Sequence, residues 1–273
     1  MSGTEPTETS TETFQEMSLA AAERYESEFV PAMFGDWAPQ VCDIAGVGPG
    51  QRVLDVACGT GIVARAAAER VGPDGTVVGV DLNEAMLTVA GRVAPHIDWR
   101  RGDAADLPLP DGSVDVVCCQ AALMFLPEPA AALREMARVA APGGTVAVQV
   151  WGTLKASVGY DRLVEVAARH AGPEAVRMLG AYWVLGNLGA LRAMVASAGL
   201  VVTTARSRMG VARFPSIREC VATEVEATPL RERIDDDVYK RILDDAEEAL
   251  RPFRTADGVE LPIQGHLVAA RKP

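Results

Sequence analysis

The sequence predicts an α/β domain built on a doubly wound sheet of seven strands, mostly parallel with the last strand antiparallel. Short apolar runs rich in β-branched residues alternate with segments of helical periodicity between residues 52 and 151. A glycine-rich turn, DVACGTG, joins the first strand of that alternation to its helix. The chain has 273 residues, 49% of them hydrophobic, which is enough for one large core.

Residues 1–13 are rich in Thr, Glu and Ser and offer little to bury, so we expect a disordered tail. A helix is predicted from Ser18 to Phe29, with Ser18 as its N-cap and Pro31 as its end. A second short helix over residues 36–45 leads to the turn GVGPG.

The alternation that follows contains five predicted strands with helical crossovers between them. The strands are RVLDVA, TVVGVD, IDWRRGD, SVDVVCCQ and TVAVQVW, and the main helices are GIVARAAAERVG, NEAMLTVAGRVAP and EPAAALREMARVAAPGG. Asn83 is the expected N-cap of the second of these helices. Strands joined by helical crossovers form a parallel sheet with helices on both faces.

After Trp151 the rhythm changes to helices, a sixth strand (LVVTTARSR), two more helices and a final strand (VELPIQGHLVAARK). About fifty residues separate the last two strands, which predicts a hairpin carrying a helical insertion. We therefore expect one domain over 14–273. Its core would be 46–151, and three cap elements would cover the substrate, namely 14–45, 152–185 and 208–258.

Composition excludes several classes of function. The net charge is −11 and the basic residues are scattered among acids, so nucleic-acid binding is not expected. No apolar run approaches the roughly 20 residues of a membrane helix, and the N-terminus lacks the features of a signal peptide. Five cysteines without a C-x-x-C pair indicate a reducing, cytoplasmic setting. Cys and His are too few and too dispersed for a metal cluster.

The glycine turn predicts a ligand site. Gly59 and Gly61 lie between a strand and a helix, where glycine allows positive φ and close approach of a ligand. Asp81 ends the next strand, twenty residues after Gly61, and a carboxylate there can accept hydrogen bonds from ribose hydroxyls. Because GTGIVA also satisfies G-x-G-x-x-A, the spacing alone leaves a nicotinamide dinucleotide open.

Three features favour S-adenosylmethionine (AdoMet) over a dinucleotide. Asp55 lies in the strand before the turn, where we expect its carboxylate to face the crevice and repel a pyrophosphate. A second acid, Asp103, ends the third strand. More than fifty residues precede the first strand, whereas dinucleotide domains usually begin with it. An acidic crevice suits a ligand with a sulfonium, an ammonium group and a ribose.

In these motifs the chain resembles the class I AdoMet-dependent methyltransferases, which have a Rossmann-like fold. It is similar to the small-molecule group that includes the ubiquinone/menaquinone biosynthesis enzymes. VLDVACGTG, VVGVDLN, RGDAADLPLPDGSVDVV and the segment from CCQAALMFLP to AVQVW carry the resemblance, from about Gln51 to Trp151. One departure is Ala57, where many members have glycine. The resemblance implies AdoMet as cofactor and methyl transfer as activity.

The resemblance also implies a role for each cofactor-site residue. The loop that would pack on the methionine part of AdoMet comprises Ala57, Gly59 and Gly61. Asp55 would orient the ammonium group, Tyr25 would close over the carboxylate, and Gln120 would line the methionine and substrate side. The alternative for Tyr25 is that it only packs in the core, and the alternative for Gln120 is that it is only a hydrogen-bonded polar residue at the end of a strand.

On the nucleoside side, the resemblance implies that Asp81 binds the ribose hydroxyls and Leu82 packs on the adenine face. Asp103 would bind the adenine amino group, and the Ala104 backbone N–H would bond the ring. The alternative for Asp81 is an acid that only caps the start of the next helix, and the alternative for Asp103 is an acid that only stabilises a turn.

Methyl transfer is an in-line displacement for which much of the rate comes from holding the acceptor close to the methyl group. If a base is used, His170 and His266 are the candidates, because His96 precedes the third strand at the wrong end of the sheet. The acceptor is expected to be a small, apolar, aromatic or quinone-like molecule under the three cap elements. An NAD(P)-dependent oxidoreductase and a non-catalytic AdoMet-binding protein stay as alternatives, and the oligomeric state is open, with a homodimer as one option.

Overall fold

The computed structural model describes residues 17–226 and 230–273. The predicted disordered tail lies outside these residues. Within them the strands pair in the order β3-β2-β1-β4-β5-β8-β6, and β7 adds to β8 at the side. The strands are β1 (Arg52–Val56), β2 (Thr76–Asp81), β3 (Asp98–Arg101), β4 (Val114–Gln120), β5 (Ala140–Trp151), β6 (Val201–Phe214), β7 (Arg254–Thr255) and β8 (Gly258–Arg271).

Strands β1 to β5 pair in parallel, and β8 runs antiparallel between β5 and β6. This confirms the predicted doubly wound, mostly parallel sheet with an antiparallel last strand. The short β7 is an eighth strand that the sequence pattern did not predict. The chain order reverses between β1 and β4, which is where sheets of this kind place a ligand crevice at their carboxyl edge.

Helices cover both faces of this sheet. They are α1 (Leu19–Arg24), α2 (Ala38–Ala45), α3 (Ile62–Val71), α4 (Glu84–Val93), α5 (Pro129–Val139), α6 (Val158–Ala171), α7 (Pro173–Leu179), α8 (Leu188–Ser197), α9 (Ile217–Glu226), α10 (Leu230–Arg233) and α11 (Asp236–Ala249). A π-helix (Tyr25–Phe34) follows α1 directly. No helix in the described ranges is long and apolar enough to span a bilayer.

The N-terminal helix differs from the prediction in how it ends. Ser18 is its N-cap, as predicted, and accepts a hydrogen bond from the Ala21 N–H. Pro31 does not end it, because the backbone widens into the π-helix, which contains Pro31 and continues to Phe34. A wider turn shifts the hydrogen-bond pattern that proline would otherwise interrupt. The continuation carries Tyr25 and Phe34 over the carboxyl edge of the sheet.

The predicted hairpin between the last two strands is present, with α9, α10 and α11 as its insertion. Its strand β6 is longer than predicted and runs on to Phe214, so the first residues of the 208–258 segment belong to the sheet. Trp37 fixes α2 against this hairpin, since a Cβ on Gly265 would come within 2.3 Å of its ring. Trp37 also meets Trp151 edge-on, with ring centroids 5.5 Å apart.

Candidate cofactor site and active site

A cleft of about 920 Å³ opens at the carboxyl edge of β1, β2 and β4. Eight of the predicted cofactor residues line it: Tyr25, Ala57, Gly59, Asp81, Leu82, Asp103, Ala104 and Gln120. The other lining residues were not predicted as site residues: Asn83, Met86, Gly102, Ala121, Ala122, Phe125, Leu126 and Pro127. The structure therefore brings eight of the predicted residues together in one cleft, and the sequence reasoning did not include the wall formed by residues 121–127.

Asp81 holds the glycine loop in place. Its Oδ2 accepts a hydrogen bond from the Gly59 N–H at 2.8 Å, and its Oδ1 accepts one from the Asn83 N–H at 2.9 Å. Burial raises the pKa of the Asp81 carboxyl, and these backbone hydrogen bonds lower it in opposition. A side chain that lines the cleft thus also ties the end of β2 to the loop after β1.

The loop itself has an unusual backbone. Both Ala57 and Gly59 have positive φ, 52° and 54°. Positive φ costs a residue with a Cβ roughly 1–2 kcal/mol, and such strain concentrates at functional sites. The alanine in place of glycine at 57 therefore keeps the glycine-like conformation of the loop.

Asp55 is not brought to the cleft, contrary to the expectation that it faces the crevice. Its side chain is buried, and its Oδ2 accepts a hydrogen bond at 2.9 Å from the Ala64 N–H in the first turn of α3. Burial raises the pKa of this carboxyl to about 8. Asp55 thus caps the helix from below the loop.

Gly61 also lies away from the cleft lining. It has φ of 89° at the start of α3, and a Cβ there would come within 2.2 Å of the Trp99 ring. The same ring packs on Gly79 of β2, and its Nε1 donates to the Ala94 carbonyl at 2.9 Å. Trp99 therefore has a structural role, and its contact with the glycine turn was not predicted from the sequence motifs.

The residues predicted for the nucleoside side, Asp81, Leu82, Asp103 and Ala104, all line the cleft. Asn83 is the N-cap of α4, as predicted, and accepts hydrogen bonds from the Ala85 and Met86 N–H groups. Asp103 Oδ1 accepts a hydrogen bond from the Ala105 N–H at 2.8 Å, so the turn role considered for this acid is present. Asp103 nevertheless lines the cleft together with Ala104.

Tyr25 lies on the glycine loop. Its ring edge would be 3.7 Å from a Cβ on Gly59. The ring stacks between Phe29 and Phe34, with centroid distances of 5.8 and 5.5 Å. Burial and the nearby Asp81 raise the pKa of the hydroxyl, so it stays protonated. Tyr25 is therefore both packed, as the alternative held, and part of the cleft wall.

Gln120 ends β4 in the cleft. Its Nε2 donates to the Phe34 carbonyl at 3.2 Å, whereas its buried Oε1 has no hydrogen-bond partner among the described residues. A buried acceptor without a partner costs about 1–3 kcal/mol. A ligand in the cleft could satisfy this oxygen.

The two histidines considered as bases lie outside the cleft lining. His266 is buried in β8, with Nδ1 2.9 Å from Ser207 Oγ and Nε2 2.8 Å from the Gly186 carbonyl oxygen. Both ring nitrogens are therefore used within the fold. His170 Nε2 is 2.9 Å from Asp245 Oδ2, in a pair between α6 and α11. Neither side chain is brought together with the cofactor residues.

Comparison with known proteins agrees with this geometry. Residues 54–148 match the family of methyltransferase domains. A 2-phytyl-1,4-naphtoquinone methyltransferase of Synechococcus elongatus is 42% identical over 106 residues, which cover 37% of this chain and 46% of that protein. Nocamycin O-methyltransferase of Saccharothrix syringae is 33% identical over 180 residues, which cover 60% of this chain and 64% of that protein.

A solved structure of phosphoethanolamine N-methyltransferase 2 from Haemonchus contortus, in complex with S-adenosylhomocysteine, has the same fold. It superposes with a TM-score of 0.60 at 19% identity and covers 98% of this chain and 61% of that one. The match is to the fold, because the identity is low.

Residues 54–148 therefore match a methyltransferase domain of the class that uses AdoMet as its cofactor. Within that class its relatives include quinone methyltransferases. The chain spans about half the length of the naphthoquinone relative and 64% of the nocamycin relative.

Proposed function

We propose that the protein transfers a methyl group from AdoMet to a small apolar molecule, aromatic or quinone-like in character. The charge of the cleft is the observation that carries the proposal. Among the described residues that line it, Asp81 and Asp103 are acidic and none is Lys, Arg or His. Such a cleft favours a cationic, ribose-bearing ligand and disfavours a pyrophosphate.

The helix after the glycine loop supports the same choice. Dinucleotide folds use the free N–H groups at this helix start to bind pyrophosphate. Here the Ala64 N–H already donates to Asp55, and Trp99 occupies the space beside Gly61. Asp55 thus disfavours a pyrophosphate by taking one N–H group of the first turn of α3, not by facing the cleft. The matches to known proteins likewise do not favour a nicotinamide-dependent oxidoreductase.

In the proposed mechanism the chain's residues bind and orient the reactants. Asp81 accepts hydrogen bonds from the ribose hydroxyls, and Asp103 with the Ala104 N–H binds the adenine. Tyr25 covers the loop, and Gln120 offers its unpaired oxygen to the methionine or acceptor side. AdoMet supplies an electrophilic methyl group, so alignment of the acceptor provides much of the rate.

The acceptor would enter along an aromatic wall. Phe125 lines the cleft, and its ring meets Tyr182 edge-on at a centroid distance of 5.2 Å. Tyr182 in turn packs on Trp183 at 5.7 Å. Flat aromatic molecules bind well to such surfaces, which fits relatives named for naphthoquinone and menaquinone substrates.

Calorimetric titration with AdoMet tests the cofactor site. Asp81→Asn keeps the side-chain size and removes the charge. Loss of a hydrogen bond to a charged group is worth about 1.5–3 kcal/mol, so we expect the affinity to fall roughly ten- to hundredfold. Asp98→Asn, at the exposed start of β3, is the matched control and should bind like the wild type. Equal affinity of Asp81→Asn and wild type would refute the ribose assignment.

Turnover separates the enzyme from a non-catalytic binding protein. Formation of S-adenosylhomocysteine with reduced naphthoquinones and other phenols as acceptors supports methyl transfer. Tight AdoMet binding without product from any acceptor of this class would favour the non-catalytic alternative.

A further inference from the structure

Glu224, on α9 in the helical insertion, is a buried carboxyl group that the cofactor site does not use. Glu224 is 3% exposed to solvent, and its Oε1 has no hydrogen-bond partner among the described residues. Burying an ionisable group without a partner is costly. A group kept in such a position is a candidate for ligand binding.

Two other unpartnered polar atoms belong to the same cluster. The Tyr160 hydroxyl and the Trp183 Nε1 are buried and lack hydrogen-bond partners among the described residues, and their rings are 5.2 Å apart. The Tyr160 hydroxyl lies close enough to Glu224 to favour its charged form, but without the geometry that would satisfy Oε1. Helix α6, helix α9 and the turn at 180–183 thus each contribute one buried polar atom without a hydrogen-bond partner among the described residues.

The cluster connects to the cofactor cleft. Tyr182 lies in the electrostatic field of both Glu224 and Tyr25, which raise the pKa of its hydroxyl in addition to burial. Its ring also contacts Phe125, which lines the cleft. A succession of ring contacts, Phe125 to Tyr182, Tyr182 to Trp183 and Trp183 to Tyr160, therefore leads from the cofactor cleft toward Glu224.

We propose that Glu224 is the polar anchor of the methyl-acceptor site and accepts a hydrogen bond from a hydroxyl group of a phenol or hydroquinone. The proposal rests on the methyl-transfer function proposed above. Aromatic rings on one side and a carboxyl acceptor on the other match a flat ring bearing an O–H donor. Glu224 would then select hydroxylated acceptors over purely apolar ones of the same shape.

Binding of two matched probes, 1-naphthol and naphthalene, tests the anchor on the full chain saturated with S-adenosylhomocysteine. Above pH 7, where the Glu224 carboxyl is ionised, a hydrogen bond to a charged group predicts that wild type prefers 1-naphthol at least about tenfold. Glu224→Met should reduce this preference to about twofold or less while leaving naphthalene binding unchanged. Glu224→Gln, which keeps an acceptor oxygen, should retain an intermediate preference. Glu219→Met, on the exposed face of the same helix, is the control.

Several outcomes would overturn the anchor. These are a wild type without the preference, wild-type failure to bind either probe, and a Glu224→Met variant that keeps the full preference. Tighter binding of 1-naphthylmethylamine than of 1-naphthol, lost in Glu224→Met, would assign the site to amines instead. If Glu224→Met does not fold, the Glu224→Gln comparison decides.

A separate titration with AdoMet distinguishes this failure from failure of the proposed function. If AdoMet binds and the probe preference is absent, only the anchor is wrong. If AdoMet does not bind the wild type, the function itself is refuted.

Discussion

Replacing Glu224 by Gln should make the protein's stability less sensitive to a rise in pH from about 4.5 to 7. Burial raises the pKa of Glu224 from 4.5 to about 7 in the folded protein. Well below pH 4.5 the carboxyl is protonated in both the folded and the unfolded chain and makes stability no different from one pH to the next. Between these values the unfolded chain releases the proton first, so the wild type loses stability as pH rises through this window.

The size of this effect follows from the pKa difference. A difference of about 2.5 pKa units, at about 1.4 kcal/mol per unit, amounts to roughly 3.5 kcal/mol well above pH 7. The titratable groups around Glu224 are Tyr160, Tyr182 and Cys220, and burial raises the pKa of each, so they stay neutral in this range. Burial also raises the pKa of Asp55 to about 8, but Asp55 is common to both proteins and cancels in their difference.

Urea unfolding of both proteins between pH 5 and pH 8.5 measures the effect. The free energy of unfolding of Glu224→Gln, relative to wild type, should increase by about 2.5 kcal/mol from the lowest to the highest pH, because part of the effect is already present at pH 5. Glu219→Gln on the exposed face of the same helix should show a flat difference. A Glu224→Gln difference that changes by less than about 1 kcal/mol, or that decreases with pH, would refute this interpretation of the buried carboxyl.

Three further predictions concern the cofactor region. In urea unfolding, Gly61→Ala should destabilise the protein by several kcal/mol more than Gly46→Ala. Both glycines have positive φ, but only Gly61 faces the Trp99 ring. Equal losses of stability in the two variants would contradict this packing. Tyr25→Ala should weaken the affinity for AdoMet, measured by calorimetry, at least about fivefold, whereas the affinity of Tyr25→Phe should stay within about twofold of wild type. Wild-type affinity in Tyr25→Ala would show that Tyr25 is not part of the site. His170→Ala should keep S-adenosylhomocysteine formation within about twofold of wild type, because His170 pairs with a residue of α11, and a loss of a hundredfold or more would restore it as a base.

The sheet could be predicted because its signals are local. β1 and β4 read as apolar β-branched runs since both faces of these central strands are covered. Ser18 and Asn83 precede helices with free N–H groups, and each caps one as predicted. The π-helix was missed because proline normally ends a helix, and a shift to wider turns leaves no simple pattern in the sequence.

The orientation of Asp55 could not be read from the sequence for a related reason. In a strand buried on both faces the alternation of polar and apolar residues is lost, so nothing local says which way a polar side chain points. Trp99 on Gly61 is likewise a contact between distant segments. Glu224 gave no signal, because a single acid in an amphipathic helix looks the same whether that face is covered or exposed.

One titration tests directly whether the cleft beside Asp81 binds AdoMet. The wild-type protein should bind AdoMet and S-adenosylhomocysteine at one site per chain, and it should show no heat of binding with NADH or NADPH. Binding of a nicotinamide dinucleotide at that stoichiometry, with no binding of AdoMet, would contradict the account.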